Sequence, residues 1–261
     1  MTFILLKVAA GFVVGILMGM TGLGGGIVLL PLLILILHVP PVIAIGSGTA
    51  LAALTKVGAT VTYWNRRSVD WHLVGYMSCG SVPASLGGLA LLEFLRSSYG
   101  DSINKGLGIA IGILLLVIAS LTMWQSQIQN VGGTALRRRL PAWIGTKIGA
   151  VITGILGGFL VGATSIGAGS VIMMLLLLFY RRAPRVLVGT DIVHGVILTA
   201  VTAIGHLHLH TVDYALVVAL LIGSLPGVFF GSMLNEVLPS FRLRQVLLFV
   251  LIGTGLLMAR G

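Results

Sequence analysis

Charge is scarce in this chain. Only 8% of its 261 residues are Asp, Glu, Lys or Arg, and only six are acidic. So few carboxylates leave no close pair to complete a metal site, and no nucleophile set, cofactor motif or ATP-hydrolysing motif is evident, which argues against an enzyme. Cysteine is almost missing as well: Cys79 stands alone, so no intramolecular disulfide can form and redox compartment is not encoded. Its place in an apolar run predicts a small core residue. Long polar stretches are also wanting, which leaves no room for a separate soluble domain.

What fills the chain is hydrocarbon: 57% of residues are hydrophobic and the mean hydropathy is +1.11, far outside the range of a water-soluble globular domain. It reads as an integral membrane protein. A helix needs about 20 apolar residues to cross ~30 Å of hydrocarbon, so this length holds around ten spans if the loops are minimal. The net charge of +10 does not indicate a nucleic-acid partner, because nearly all the Lys and Arg residues sit in short gaps between apolar runs, where positive-inside topology accounts for them. Lys7 inside the first run argues against a signal peptide, and a retained N-terminus is expected.

Sliding the sequence against itself by 143 residues aligns two halves without a gap. Nine glycine pairs coincide: Gly11/Gly154, Gly15/Gly158, Gly19/Gly162, Gly24/Gly167, Gly26/Gly169, Gly46/Gly189, Gly80/Gly223, Gly88/Gly231 and Gly112/Gly255. Chance predicts about two to three such pairs at this glycine content. Pro41/Pro184, Pro83/Pro226, Thr21/Thr164, Asp70/Asp213, Ser81/Ser224 and Glu93/Glu236 extend the register into the polar loops. Residues 1–124 form the first unit and 147–261 the second, with 125–146 as a linker carrying Arg137, Arg138 and Arg139. Apolar segments are expected at 3–20, 27–38, 42–63, 72–94 and 105–124, and again at 147–163, 170–180, 186–206, 214–235 and 245–259.

The distribution of basic residues decides the parity. With five segments per half, one face receives 11 Lys and Arg and the other 4; fusing the first two segments of each half gives 8 to 7 and removes the bias. Five per half makes the second unit upside down relative to the first, as in many secondary transporters. The expected fold is therefore all-α, about ten helical segments in two inverted repeats, with both termini outside.

Segments one and two are separated by Thr21-Gly22-Leu23-Gly24-Gly25-Gly26, and their counterparts by Thr164-Ser165-Ile166-Gly167-Ala168-Gly169. Neither stretch is charged, and the helical runs that follow are too short to cross the bilayer at 1.5 Å per residue. An unwound backbone at membrane depth is tolerated only where protein or a water-filled cavity satisfies its peptide groups. Helices starting near Ile27 and Ser170 would aim unpaired N–H groups at such a cavity, an arrangement suited to an anion. Candidate binding residues are Thr21, Gly22, Gly24, Gly25, Gly26, Thr164, Ser165, Gly167, Gly169 and Ser170; the alternative is that these glycines serve only tight packing. No Lys-Ser/Thr pair follows either string, so a nucleotide-binding loop is excluded.

Lys56, Asp191 and His194 are ionisable residues inside apolar segments, where charge is costly and tends to face cavities or partners. Their repeat counterparts are Thr199, Gly48 and Leu51, so charge is placed at one end of an otherwise symmetric site. Lys56 is expected to attract the anion, and Asp191 or His194 to take up a coupling proton; a structural Lys56–Asp191 pair, or snorkelling of Lys56 to the interface, is the competing reading. His206, His208 and His210 alternate near the eighth segment's end, but no carboxylate pair or cysteine completes a metal site, and a solvated loop is expected.

With both motifs in view, the chain resembles the sulfite exporter TauE/SafE family. The resemblance rests on Gly19-x-x-Gly22-x-Gly24-Gly25-Gly26 with Pro31, on Pro41-x-x-Ala44-x-Gly46, and on the echo Gly162 to Gly169 with Pro184 and Gly189. It implies transport of sulfite, sulfonates or other small sulfur-containing anions across a prokaryotic cytoplasmic membrane. Ser165 and Ala168 depart from the glycine pattern in the second copy. An anion channel built on the same broken helices is the alternative, with a membrane-embedded enzyme behind it.

Overall fold

The computed structural model describes residues 2–21, 26–65, 68–130, 145–167, 169, 171–180, 182–237 and 240–260. Among these the protein is all-helical. The helices are α1 (Thr2–Thr21), α2 (Gly26–Pro31), α3 (Pro41–Asn65), α4 (Trp71–Tyr99), α5 (Ile103–Asn130), α6 (Lys147–Thr164), α7 (Val171–Phe179), α8 (Pro184–His208), α9 (Tyr214–Val237) and α10 (Ser240–Ala259). Among the described residues four helical stretches are long and apolar enough to cross a membrane, Trp71–Met123 (which takes in α4 and most of α5), Lys147–Thr164, Arg185–His208 and Tyr214–Gly231, and Ile4–Gly19, Ile27–Ile36, Pro41–Val57 and Leu248–Ala259 are shorter apolar helices. Phe249 is 81% exposed and Phe94, Tyr214 and Phe229 are exposed with it, an apolar outer surface that suits lipid rather than water.

Most boundaries lie within a few residues of the periodicity reading. The exceptions have local causes. Helix α5 runs through Gln125–Asn130 instead of ending at 124, because no glycine or proline interrupts it before Gly132. After α2, Pro31 lacks the N–H that would continue the ladder, and the chain widens into a π-helical turn over Leu32–Ile36, closed by Leu37 N–H on Leu32 O at 3.2 Å. The counterpart of Pro31 is Met174, and α7 is a regular helix.

The strongest packing is between parallel helix pairs. A methyl added at Gly11 or Gly15 of α1 would collide with the carbonyls of Leu220 and Ser224 on α9, and one at Gly223, Gly227 or Gly231 would strike Val8, Phe12 and Ile16 on α1. Both numbers rise together along the interface, so α1 and α9 run the same way. Helices α4 and α6 repeat the pattern: Gly154, Gly158 and Gly162 pack on the carbonyls of Met77, Ser81 and Ser85, while Gly80 and Gly88 receive Val151 and Phe159. Helices α3 and α8 pack on each other, as do α5 and α10. Helix α8 follows the direction of α4, meeting it at Ser81–His194, Leu89–Gly205 and Arg96–Leu209 in turn.

Two buried apolar clusters flank these seams. One joins Leu29, Leu30 and Leu33 of the second segment to Ile45, Ile111, Leu115 and Leu251; the other joins Ile172 and Leu176 of α7 to Leu73, Met77, Val161 and Leu198. Two side chains are placed differently from expectation. Cys79 is exposed on α4 rather than a core residue, because the outside of this protein is as apolar as its inside. His206 belongs to the last turn of α8 and is fully buried, whereas His208 and His210 are exposed.

The neighbouring glycines of α4 offer a direct test of the packing. Gly88 faces the Phe159 carbonyl and Ala163 of α6, while Gly87 has open space. Gly88→Ala is expected to destabilise the purified protein by about 1–3 kcal/mol, the usual cost of overpacking. Gly87→Ala should stay within about 0.5 kcal/mol of the parent. Denaturant titration in detergent, followed by tryptophan fluorescence, separates the two.

Candidate functional site

In the second half the first helix ends in the break that the glycine motif predicts. Ser165 adopts a left-handed conformation with φ 60° and ψ 0° and caps α6 through its N–H on Val161 O at 2.8 Å; Gly167 follows with φ 129°. A left-handed non-glycine residue at this position carries local strain, a feature that clusters at functional sites. Thr164 donates its hydroxyl to Leu160 O at 2.7 Å and accepts from Ile166 N–H at 3.3 Å, so its proton is spent within the turn. Ser165 and Gly169 are buried. A Cβ built on Gly48 of α3 would lie 3.8 Å from Ser165 Oγ, which sets this break against a helix of the other half. Of the first break, Thr21 ends α1 and Gly26 starts α2, while Gly22, Gly24 and Gly25 lie outside the described residues, as do Ser170, Arg137, Arg138 and Arg139.

The three embedded ionisable residues converge. Asp191 and His194 are one turn apart on α8, 5% and 0% exposed, and the half-buried Lys56 of α3 is within electrostatic reach of both. Ser81 of α4 completes the group, its Oγ 2.8 Å from His194 Nε2. Asp191 Oδ1 and His194 Nδ1 are buried without a hydrogen-bond partner among the described residues. Buried polar atoms are seldom left open, so two such atoms in one cluster mark a place for a proton, a water or a ligand. Ser81 escaped the sequence reading as a site residue, although its pairing with Ser224 in the repeat was visible.

A second polar assembly surrounds the N-terminus of α4. Asp70 caps that helix, accepting from Leu73 N–H at 3.2 Å through Oδ1, while Oδ2 takes the Arg182 Nε–H at 3.1 Å. The Asp70 N–H donates to Thr190 Oγ1 of α8 at 2.9 Å. Each of these capping bonds recurs 143 residues on or back: Asp213 accepts from Leu216 N–H at 3.0 Å, and its own N–H donates to Ser47 Oγ of α3 at 3.0 Å. The basic partner there is Lys7, 3.9 Å from Asp213. Beside Asp70 a cavity of about 520 Å³ is lined by Asp70, His72, Tyr76, Lys147, Tyr180 and Arg182 among others.

Among the described residues no three His, Cys, Asp or Glu side chains gather as a metal site. His206, one of the histidine trio, instead bonds through Nδ1 to Thr211 Oγ1 at 2.9 Å.

Residues 7–258 match the model of the sulfite exporter TauE/SafE family. The probable membrane transporter protein YjnA of Bacillus subtilis is 30% identical over 94% of this chain and 96% of its own length. The probable membrane transporter protein YdhB of the same organism is 24% identical over 95% of this chain and 96% of its own, and YunE, similarly named, 24% over 98% and 96%. No solved structure gives a significant match.

Ser81 is the residue on which the buried cluster can be tested for stability. Ser81→Ala leaves both His194 nitrogens open and is expected to cost about 1–3 kcal/mol of folding stability. In a His194→Leu background the same change should cost much less, so a double-mutant cycle on denaturant midpoints reads the coupling. Additive effects would show that the two side chains do not interact.

Proposed function

The chain belongs to the sulfite exporter TauE/SafE family, and on that premise we propose that it is a secondary transporter of small anions. The substrate class is sulfite, sulfonates and other sulfur-containing anions, carried across a prokaryotic cytoplasmic membrane. The proposed architecture is two inverted five-segment repeats, 1–124 and 147–261, joined by 125–146, with both termini outside. In support, the start of α3 meets the residues just past the end of α8, at Gly46–Thr211 and Ser47–Asp213, while Lys56 further along α3 reaches Asp191 in the first half of α8, so the repeat-related helices α3 and α8 run in opposite senses. The paired Asp70 and Asp213 caps, each held by a hydroxyl from the other half, support the same relation.

The observation that carries the mechanism is the group formed by buried Asp191, His194 and Ser81 with half-buried Lys56 between the two halves, with open polar atoms on Asp191 and His194. Lys56 supplies an embedded cation that can balance an anion, and the Ser165 break faces Gly48, about two turns before Lys56 on the same helix. The anion site comprises the residues of the two breaks together with Lys56: Thr21, Gly22, Gly24, Gly25 and Gly26 in one, and Thr164, Ser165, Gly167, Gly169 and Ser170 in the other. In this scheme Asp191 or His194 accepts a proton as the anion moves, so that less net charge crosses the hydrocarbon. No covalent chemistry is involved.

Flux in proteoliposomes, with and without an imposed pH gradient, tests the scheme. Saturable sulfite or sulfonate flux that responds to the gradient is expected, and conductance without saturation or proton dependence would identify a channel. Lys56→Ala and Asp191→Asn should each reduce flux by at least about tenfold; normal flux in either removes that residue from the mechanism. A thermal-shift panel of sulfite, sulfonates, thiosulfate and carboxylates examines the substrate class, and stabilisation by carboxylates alone would overturn it.

A further inference from the structure

We propose that the cavity beside Asp70 is a second binding site, for a small oxyanion, held by Arg182 and Lys147 and opposed by the Asp70 carboxylate as an internal competitor. It is distinct from the buried Lys56 group, and it rests on the anion-transport reading for the purpose it serves: capture of the substrate at one membrane face.

The volume of about 520 Å³ is within the range of ligand pockets and ample for an oxyanion with part of its hydration shell. Two cations border the space against one carboxylate. Arg182 gives only Nε–H to Asp70, at 3.1 Å, and is 60% exposed; the remaining donors of its guanidinium fork have no partner among the described residues. A planar fork with one edge still open is the geometry that takes an oxyanion by two parallel hydrogen bonds. Lys147, the first residue of α6, sits with Nζ 5.3 Å over the Tyr76 ring. Tyr76 holds the ammonium beside the cavity through its side chain, by the ring face and by a hydrogen bond, and the ammonium carries three N–H donors in all.

Asp70 ties the cavity to the buried group. Its N–H is bonded to Thr190, the residue before Asp191 on α8, so a residue lining the cavity and the Lys56 group are both tied to that helix. An arriving anion competes with Asp70 for Arg182, and removing the carboxylate charge strengthens the site. The repeat supplies a contrast. The counterparts of Arg182 and Lys147 are Val39 and Ile4, so at the Asp213 end this pair of cations is missing even though the carboxylate cap is conserved in geometry. Capture is built at one end only.

The oxyanion chemistry could come from free sulfate-like solutes or from the phosphate of an anionic lipid headgroup, and the experiment distinguishes them. Sulfate and sulfite binding is measured by calorimetry on detergent-purified protein freed of anionic lipid. Arg182→Gln and Lys147→Gln are each expected to weaken binding by at least about tenfold, and Asp70→Asn, which keeps a helix-capping side chain, to tighten it. In proteoliposomes the same Gln variants should raise KM more than they lower the maximal rate, whereas Lys56→Ala lowers the maximal rate. Unchanged affinity and KM in both Gln variants, in protein that still transports, overturns the capture site while leaving the transport reading intact. Absence of anion binding and flux in the parent protein overturns both. If phosphatidylglycerol vesicles displace sulfate from the parent but have no effect on Lys147→Gln, the occupant of the site is the lipid headgroup.

Discussion

Inside a bilayer, apolar helices gain little by leaving lipid for one another, so their association depends on how closely their backbones can approach. In this protein the approach is set by glycines facing carbonyls. Gly154, Gly158 and Gly162 let α6 lie on α4, and Gly11 and Gly15 let α1 lie on α9. The contact also builds the polar site, because Ser81 serves both functions. Its carbonyl receives Gly158, and its hydroxyl is bonded to the buried His194. A helix pair held apart by one methyl group would therefore move a hydrogen-bonding group away from the buried His194, so helix packing and the polar cluster are linked through a single residue.

The second organising element is the carboxylate cap. Asp70 and Asp213 satisfy the first turns of α4 and α9, and each is fastened to a hydroxyl on α8 or α3. Helix starts leave N–H groups open, and a membrane face offers limited water to fill them. By binding the cap to the opposite half, the protein makes the ends of the packed helices part of the interface between halves. The basic partners differ, Arg182 at 3.1 Å for Asp70 and Lys7 at 3.9 Å for Asp213, so two similar caps carry ion pairs of unequal closeness.

Much of this was legible in the sequence, because glycine and apolar runs write backbone constraints directly. Most segment boundaries and the end of α6 at Thr164 follow from residues whose roles are local. Three things were hidden. Ser81 and Thr190 look like ordinary small residues in apolar helices, and only tertiary packing gives them partners. The Arg182–Asp70 pair joins residues from different halves, and neither residue identifies the other. Cys79 and His206 were assigned the wrong surroundings because hydropathy cannot distinguish lipid from protein interior: an apolar neighbourhood holds an exposed thiol as readily as a buried imidazole. In a water-soluble protein the same apolar pattern would have been a guide to the core.

The departures from the repeat are as informative as the repeat itself. Gly48 occupies the position that corresponds to Asp191, and there the space is bordered by Leu29, Leu30 and Ser165. A carboxylate at that position would meet the break of the other half and two leucines. Thr199, the counterpart of Lys56, turns its hydroxyl back onto Gly195 O at 2.6 Å and keeps no charge in the membrane. One half thus contributes the cation, the other the carboxylate and imidazole, and neither half alone holds a balanced site. Had Gly48 and Thr199 matched Asp191 and Lys56 in charge, the cost of placing charge in the membrane would be incurred twice.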